Sequence, residues 1–421
     1  MLDTEISVAD IDLSDPAFWA LPRDRRYAAF DALRRDAPVS WQKPPVAWSS
    51  PDYPPLPGYW AVTRHADVRT VGRDTKRFTA THGVSPYDNR DGEDRLLIES
   101  WMVLDPPEVH KFRGIFAKAF APRMIASLEG WVERAVRDAI ARIADRGECD
   151  FFHDLTHDFP ITVICDMLGI PTSDRPHFTR TMDVVFNGYG TEGSSRESTD
   201  AVRELNEYGS ELGRHRRRKP ADDLISALAH AEIDGQALND IDLGSSFFNI
   251  ASGGMETTGT AAAHSLINLS RHPAERRRWQ EDYDALAPTA IEELLRWAPV
   301  VISFRRVARV DTELSGQPIA AGDHVYMYFP AANFDATVFA EPYTFDLGRD
   351  PNPHVSFGFG PHFCIGNELA RMELKTFYRE LFRILPDIDL AGEPAWAGHP
   401  FLDPVESLPC RYTPNPNAEK S

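Results

Sequence analysis

Between Asp240 and Arg271 the chain keeps a helical pattern of apolar and small residues for about 32 positions, roughly 48 Å at the rise of an α-helix. A helix of that length crosses a domain from side to side, so the remaining elements must pack around it. His272-Pro273 ends it, because the residue before a proline is driven out of the helical region. Leu128, Trp131, Val132, Ala135, Val136, Ile140 and Ile143 recur at helical spacing between Met124 and Arg146, which predicts a second helix with one face inward. Tyr59 to Thr63, Arg306 to Val310 and His324 to Phe329 read as strands, with turns at Gly316-Gln317-Pro318 and Ala321-Gly322. The expected fold class is mainly α: one helix-rich unit over residues 1–421, with a small β-rich region drawn mainly from about 40–70 and 300–330. The proline-rich segment Pro44 to Pro57 reads as a semi-rigid loop, and the glycine- and serine-rich segment Asn187 to Thr199 as a flexible one.

A chain of 421 residues with 42% hydrophobic content can bury a large core, and no break in composition demands separate domains. Its formal charge of −19 repels phosphate backbones and anionic membranes, so no nucleic-acid partner is expected. The one dense cationic run, Arg214-His215-Arg216-Arg217-Arg218-Lys219, reads as a helix C-terminus complementing the dipole. Cysteines 149, 165, 364 and 410 form no close cluster, which argues against a zinc site, an iron–sulfur site or a disulfide framework. Met1 to Trp41 holds no apolar run long enough for a signal peptide or a membrane anchor, and a cytoplasmic protein is expected.

Cys364 is the candidate reactive group. It lies in Phe357-Gly358-Phe359-Gly360-Pro361-His362-Phe363-Cys364-Ile365-Gly366, and helix formers follow through Glu380. Glycines without Cβ atoms let backbone approach a flat ligand, and a helix N-terminus favours a thiolate over a thiol. The setting suggests a thiolate ligand to a haem iron. Within the long helix, Gly253-Gly254-Met255-Glu256-Thr257-Thr258 is poorly suited to helix stability. Its two interior glycines cost about 1 kcal/mol each relative to alanine, so something must offset them. Thr257 can bond back to the Gly253 carbonyl. A close helix–helix contact would explain the glycines but not the acid beside the threonines. Glu293 and Arg296 stand at i and i+3 on one helix face.

The run around Cys364 resembles, position by position, the haem-binding signature of the cytochrome P450 superfamily, and the resemblance extends from about Asp105 to Lys375. It implies the cytochrome P450 fold, with haem b between the long central helix and the helix after Cys364, and a bacterial type of monooxygenase. By the same resemblance Cys364 is the metal ligand, Gly358 and Gly366 belong to the cofactor loop, and Arg113, Arg306 and His362 are the propionate partners. Glu256 and Thr257 correspond to the family's oxygen-activation motif and would relay protons. Glu293, Arg296 and Arg349 correspond to a structural triad behind the haem. Two positions depart from the family pattern. The family's usual histidine falls on Val109, with His110 displaced by one residue, and Phe334 stands where arginine is common.

Gly253, Val300, Val301 and Ile302 align with the substrate pocket, as does the stretch from Val84 to Met102, and their apolar character implies a hydrophobic small molecule of terpenoid, lipid or steroid type. Dioxygen is the implied co-substrate, and with no flavin or iron–sulfur module in the sequence, two electrons must come from outside. A ferredoxin with its reductase is the implied partner. Arg371, Lys375 and Arg379, with Lys111 and Lys118, form a candidate docking stripe for it, the alternative being a solvated helix face. A haem-binding sensor would keep Cys364 but have no use for Glu256 and Thr257, and a peroxide-driven oxygenase would normally lose that pair.

Overall fold

The computed structural model describes residues 6–45, 55–86, 95, 100–120, 122–187, 195–398 and 400–418. Most of segment 44–57, residues 188–194 of the expected flexible loop and most of 84–102 lie outside the described residues.

Ten helices frame the site. They are α1 (Arg23–Asp36), α2 (His65–Arg73), α3 (Glu108–Ala119), α4 (Pro122–Ala141), α5 (Asp158–Leu168), α6 (Arg175–Asn187), α7 (Ser195–Arg218), α8 (Asp240–Arg271), α9 (Tyr283–Trp297) and α10 (Asn367–Ile384). The long helix α8 has the length read from sequence because both ends carry local stop signals. Asn239 and Asp242 form a reciprocal capping box at its start, and His272 caps its end where Pro273 opens the next helix. Thr199, read as loop, lies inside α7. The basic run 214–219 sits at the C-terminus of α7, where Arg214 pairs with Asp240 at 2.6 Å and Arg216 with Asp223 at 2.6 Å while His215, Arg218 and Lys219 are exposed.

The main sheet has β1 (Val39–Gln42), β2 (Tyr59–Val62), β3 (Phe78–Thr79), β4 (Ser303–Ala308) and β5 (His324–Tyr328) in the order β1-β2-β5-β4-β3. Only β5 with β2 is parallel. Strand β4 begins three residues before its expected start, because pairing of Ser303 with Tyr328 through Val307 with His324 sets its register. The larger core gathers α4, α5, α8 and α10. A smaller one packs Trp19, Phe30 and Leu33 against Tyr59, Tyr326, Tyr328 and Ile302. Among the described residues no helix is long and apolar enough to cross a membrane.

Candidate active site

The loop carrying Cys364 is held from both sides. Its N–H donates to the Phe357 carbonyl at 2.8 Å, and its own carbonyl accepts from Asn367 Nδ2 at 2.9 Å. Gly358 and Gly360 take positive φ values of 71° and 79°, and a Cβ on Gly360 would strike the Gly72 carbonyl, so the loop rests directly on α2. Gly366 precedes α10, and a Cβ there would stand 3.9 Å from Cys364 Sγ. The helix-terminus argument for a thiolate is insufficient alone. Burial pushes the Cys364 thiol up, opposed by the Gly366 N–H and by the charges of Arg113 and Arg371. A cation bound at sulfur is what would tip the group to thiolate.

Arg113 from α3, Arg306 from β4 and His362 from the loop converge on this point, with both arginines acting electrostatically on His362. Burial, then these two charges, drive the imidazole well below its usual range, so it is neutral. The Leu104 carbonyl faces the ring, yet neither ring nitrogen makes a hydrogen bond of ordinary geometry among the described residues, and Arg113 Nη1 is likewise buried without one. Buried donors seldom stay unpaired, so these atoms fit the carboxylates of a flat anionic group beside the thiol. The residues present therefore suit a haem: Cys364 for its metal, and Arg113, Arg306 and His362 for its propionates. His110 is exposed, one position on from the fully buried Val109, but remains within electrostatic reach of His362.

On the facing side, α8 explains its two glycines separately. A Cβ on Gly254 would collide with Ile164 of α5, so that glycine is a helix–helix contact, whereas a Cβ on Gly253 would meet nothing within 4 Å. Gly253 is the one facing open space. Thr257 Oγ1 donates to the Gly253 carbonyl at 2.6 Å. Burial raises the Glu256 carboxyl, and His157 pulls it back while Asp183 adds to the rise. His157 lies between Asp158 at 3.4 Å and Asp183 at 3.6 Å, and hydrogen bonds to these two carboxylates raise it to about 10. It comes this close because Gly259 lets the 156–157 backbone press on α8, where a Cβ would meet the Thr156 carbonyl. Two contacts tie α8 to α10. Tyr378 donates to the Ala262 carbonyl at 2.6 Å, and the buried Glu373, pushed up to about 8 by desolvation, faces Thr258.

Behind the loop, Glu293 and Arg296 are both 0% exposed and joined by a fork of 2.7 and 2.8 Å, with Arg349 at 3.3 Å. Phe334, at the departure noted above, is buried with its ring 5.0 Å from the Arg296 guanidinium and stacked on Tyr343, so aromatic cover stands where a second cation would crowd Arg296.

Of the three apolar residues aligned with a pocket, Ile302 is 1% exposed inside the smaller core and Val300 is packed in the larger one, while Val301 keeps open surface. Three basic residues of the candidate docking stripe have acidic partners. Arg371 forks onto Glu292, Arg379 pairs with Asp284 at 3.0 Å, and Lys111 pairs with Asp234 at 2.5 Å. Sequence reasoning missed His157, Glu292 and Glu373. For Glu373 a signal existed, an acid on the apolar face of α10 one turn after Leu369; His157 has one adjacent partner, Asp158, but Asp183 and the partners of Glu292 are remote in sequence and left none.

A family model described as cytochrome P450 matches residues 195–384. The methyl-branched lipid omega-hydroxylase of Mycobacterium tuberculosis is 37% identical over 97% of this chain and 96% of its own length. The steroid C26-monooxygenase of the same organism is 31% identical over 96% of this chain and 92% of its own. Among solved structures, a Mycobacterium marinum cytochrome P450 in complex with pseudoionone superposes with a TM-score of 0.88 at 36% identity, covering 96% of this chain and 98% of that one.

Proposed function

The chain belongs to the cytochrome P450 family of haem-dependent monooxygenases, and from that premise we propose that it hydroxylates an unactivated C–H bond of a branched lipid, terpenoid or steroid. The reading extends to haem b as the cofactor, dioxygen as co-substrate, a ferredoxin with its reductase as electron source, and a cytoplasmic setting. The observation that carries it is the convergence of Cys364 with the buried nitrogens of His362 and Arg113 that make no hydrogen bond of ordinary geometry, together with the open face that α8 keeps at Gly253.

Haem, when bound, would supply oxygen activation, and a thiolate from Cys364 would favour oxygenase chemistry over reversible oxygen binding. The chain's own residues do the rest. Cys364 is presented by Phe357 and Asn367, and the buried Glu293–Arg296–Arg349 group fixes the ground behind it. Arg113, Arg306 and His362 hold the cofactor's carboxylates. Glu256, its proton held more tightly than in water, is the acid that supplies the pocket, and Thr257 Oγ1 carries a hydrogen-bonding hydroxyl at the open face of α8. Gly253 and Val301 are the apolar surface that this part of the chain offers a substrate.

The test is a panel of methyl-branched fatty acids, terpenes and steroids added to the ferric holoenzyme. A shift from low to high spin with at least one lipid class, followed by an alcohol product under ferredoxin-driven turnover, is expected. A panel without any shift rejects the substrate class, and product formation from a flavin-type reductase but from no ferredoxin rejects the proposed partner.

A further inference from the structure

Arg371, read from sequence as part of a docking stripe, points inward to a second acid. Its guanidinium grips Glu292 through Nε at 2.6 Å and Nη2 at 3.0 Å, the bidentate geometry that fixes an arginine in one orientation. Glu292 immediately precedes Glu293 in α9 but serves a separate set of partners. His354 Nε2 lies 2.9 Å from the same carboxylate. Because His354 Nδ1 accepts the Ser356 N–H at 3.2 Å, the ring proton is on Nε2 and donates to Glu292. Burial alone would push the Glu292 carboxyl up, but these hydrogen bonds hold it at about 2, so it is a permanent anion.

With its Nε and Nη2 so engaged, Arg371 also reaches Glu368 at 3.5 Å through Nη1, and two further contacts lead to Cys364. Nη1 donates to Asn367 Oδ1 at 2.6 Å, which orients that amide so that Nδ2 donates to the Cys364 carbonyl at 2.9 Å. The guanidinium also covers the Phe357 ring at 4.7 Å, and the Phe357 carbonyl accepts the Cys364 N–H at 2.8 Å. Both groups that fix the cysteine backbone therefore contact one arginine, and Glu292 is the carboxylate that grips it in a fork, with Glu368 a longer contact.

We propose that Glu292 is a positioning residue for Cys364: by orienting Arg371 it braces Asn367 and Phe357, which hold the cysteine's carbonyl and N–H. This rests on the haem-thiolate reading above. Glu292 also neutralises the Arg371 charge that acts on Cys364, so it bears on the electronics of the ligand as well as on its placement. Partners of this kind behind a metal ligand typically change metal affinity or activity by about 10–100-fold when removed.

The experiment compares the holoenzyme with Glu292→Gln and Arg371→Lys. Two readouts are taken, the rate at which the thiolate-type Soret band of the reduced, carbon monoxide-bound protein is lost on mild warming, and the ferric–ferrous midpoint potential of the fraction that keeps it. For Glu292→Gln, about tenfold faster loss and a more positive midpoint are expected, since an arginine charge left with only the longer Glu368 contact favours the added electron. Arg371→Lys keeps the charge but has neither fork nor planar stack, so it should speed the loss as well. Folded Glu292→Gln protein with an unchanged loss rate and an unchanged midpoint overturns the proposal, as does a lower thermal midpoint with both spectroscopic readouts unmoved. If Glu292→Gln does not fold, the proposal stands or falls on whether Arg371→Lys speeds the loss. Wild-type protein without a thiolate-type band overturns the haem-thiolate reading itself, and this proposal with it.

Discussion

Replacing Glu293 by glutamine keeps its shape and removes its charge where compensation is hardest. Six N–H donors converge on its two oxygens: Arg296 Nε and Nη2, Trp297 Nε1, the Asp346 backbone, Arg349 Nε and Asn352 Nδ2. Arg296, with no exposed surface, is left charged and unbalanced. Removing one partner of a buried pair costs about 3–5 kcal/mol. At roughly 2.1 cal/mol/K of unfolding entropy per residue, this 421-residue chain loses about 1 °C of thermal midpoint per kcal/mol, so a fall of about 3–6 °C is expected. The assay is thermal unfolding of wild type and Glu293→Gln by circular dichroism at one pH and one haem loading. Replacing Glu293 and Arg296 together by leucine should not restore the loss, because Trp297, Asn352, Arg349 and the Asp346 N–H lose their acceptor, at about 1–3 kcal/mol for each donor left buried and unpaired. A Glu293→Gln midpoint within about 1 °C of wild type would refute the reasoning.

Three further perturbations follow from the same geometry. Gly259→Ala places a methyl group on the Thr156 carbonyl and should destabilise the fold by about 1–3 kcal/mol, read as a lower denaturant midpoint, whereas Gly253→Ala, with open space around it, should leave that midpoint nearly unchanged and alter ligand-induced spectral shifts instead. His157 is raised to about 10, so its ion pairs contribute stability that is fully present below its unfolded value near 6.5 and lost as pH rises through about 10; His157→Gln should be less stable than wild type at pH 7, with the difference closing at pH values above about 10 in thermal scans. Asp403 is held at about 2, burial being outweighed by Arg26 and Arg23, so its contribution is present above the ordinary carboxylate range and lost as pH falls toward 2; Asp403→Asn should flatten that acid limb.

What could be read from sequence was what local signals determine. Helix α8 has its expected limits because its cap and its proline are adjacent in the chain, and the Cys364 loop was legible because its glycines and its helix start lie within ten residues. Where tertiary packing decides, no local signal was available. Ile302, aligned with a pocket, packs at 1% exposure in the smaller core, its carbonyl accepting the Phe329 N–H. Spacing on α10 marked Arg371 as a surface cation, because nothing local announces Glu292, 79 positions away. Cys149 and Cys410 looked unrelated, yet the strands that carry them pair them directly, both as free thiols raised by burial. Phe334 gained a reason only when the Arg296 guanidinium was found beneath its ring.

The role assigned to Cys364 underlies every functional statement above, and the absorption spectrum of the dithionite-reduced protein under carbon monoxide tests it most directly. A strongly red-shifted Soret band in the wild type, lost in Cys364→Ser, is expected for a haem held by that sulfur as thiolate. A band at the position of histidine- or thiol-ligated haem, or a folded preparation that takes up no haem, contradicts it.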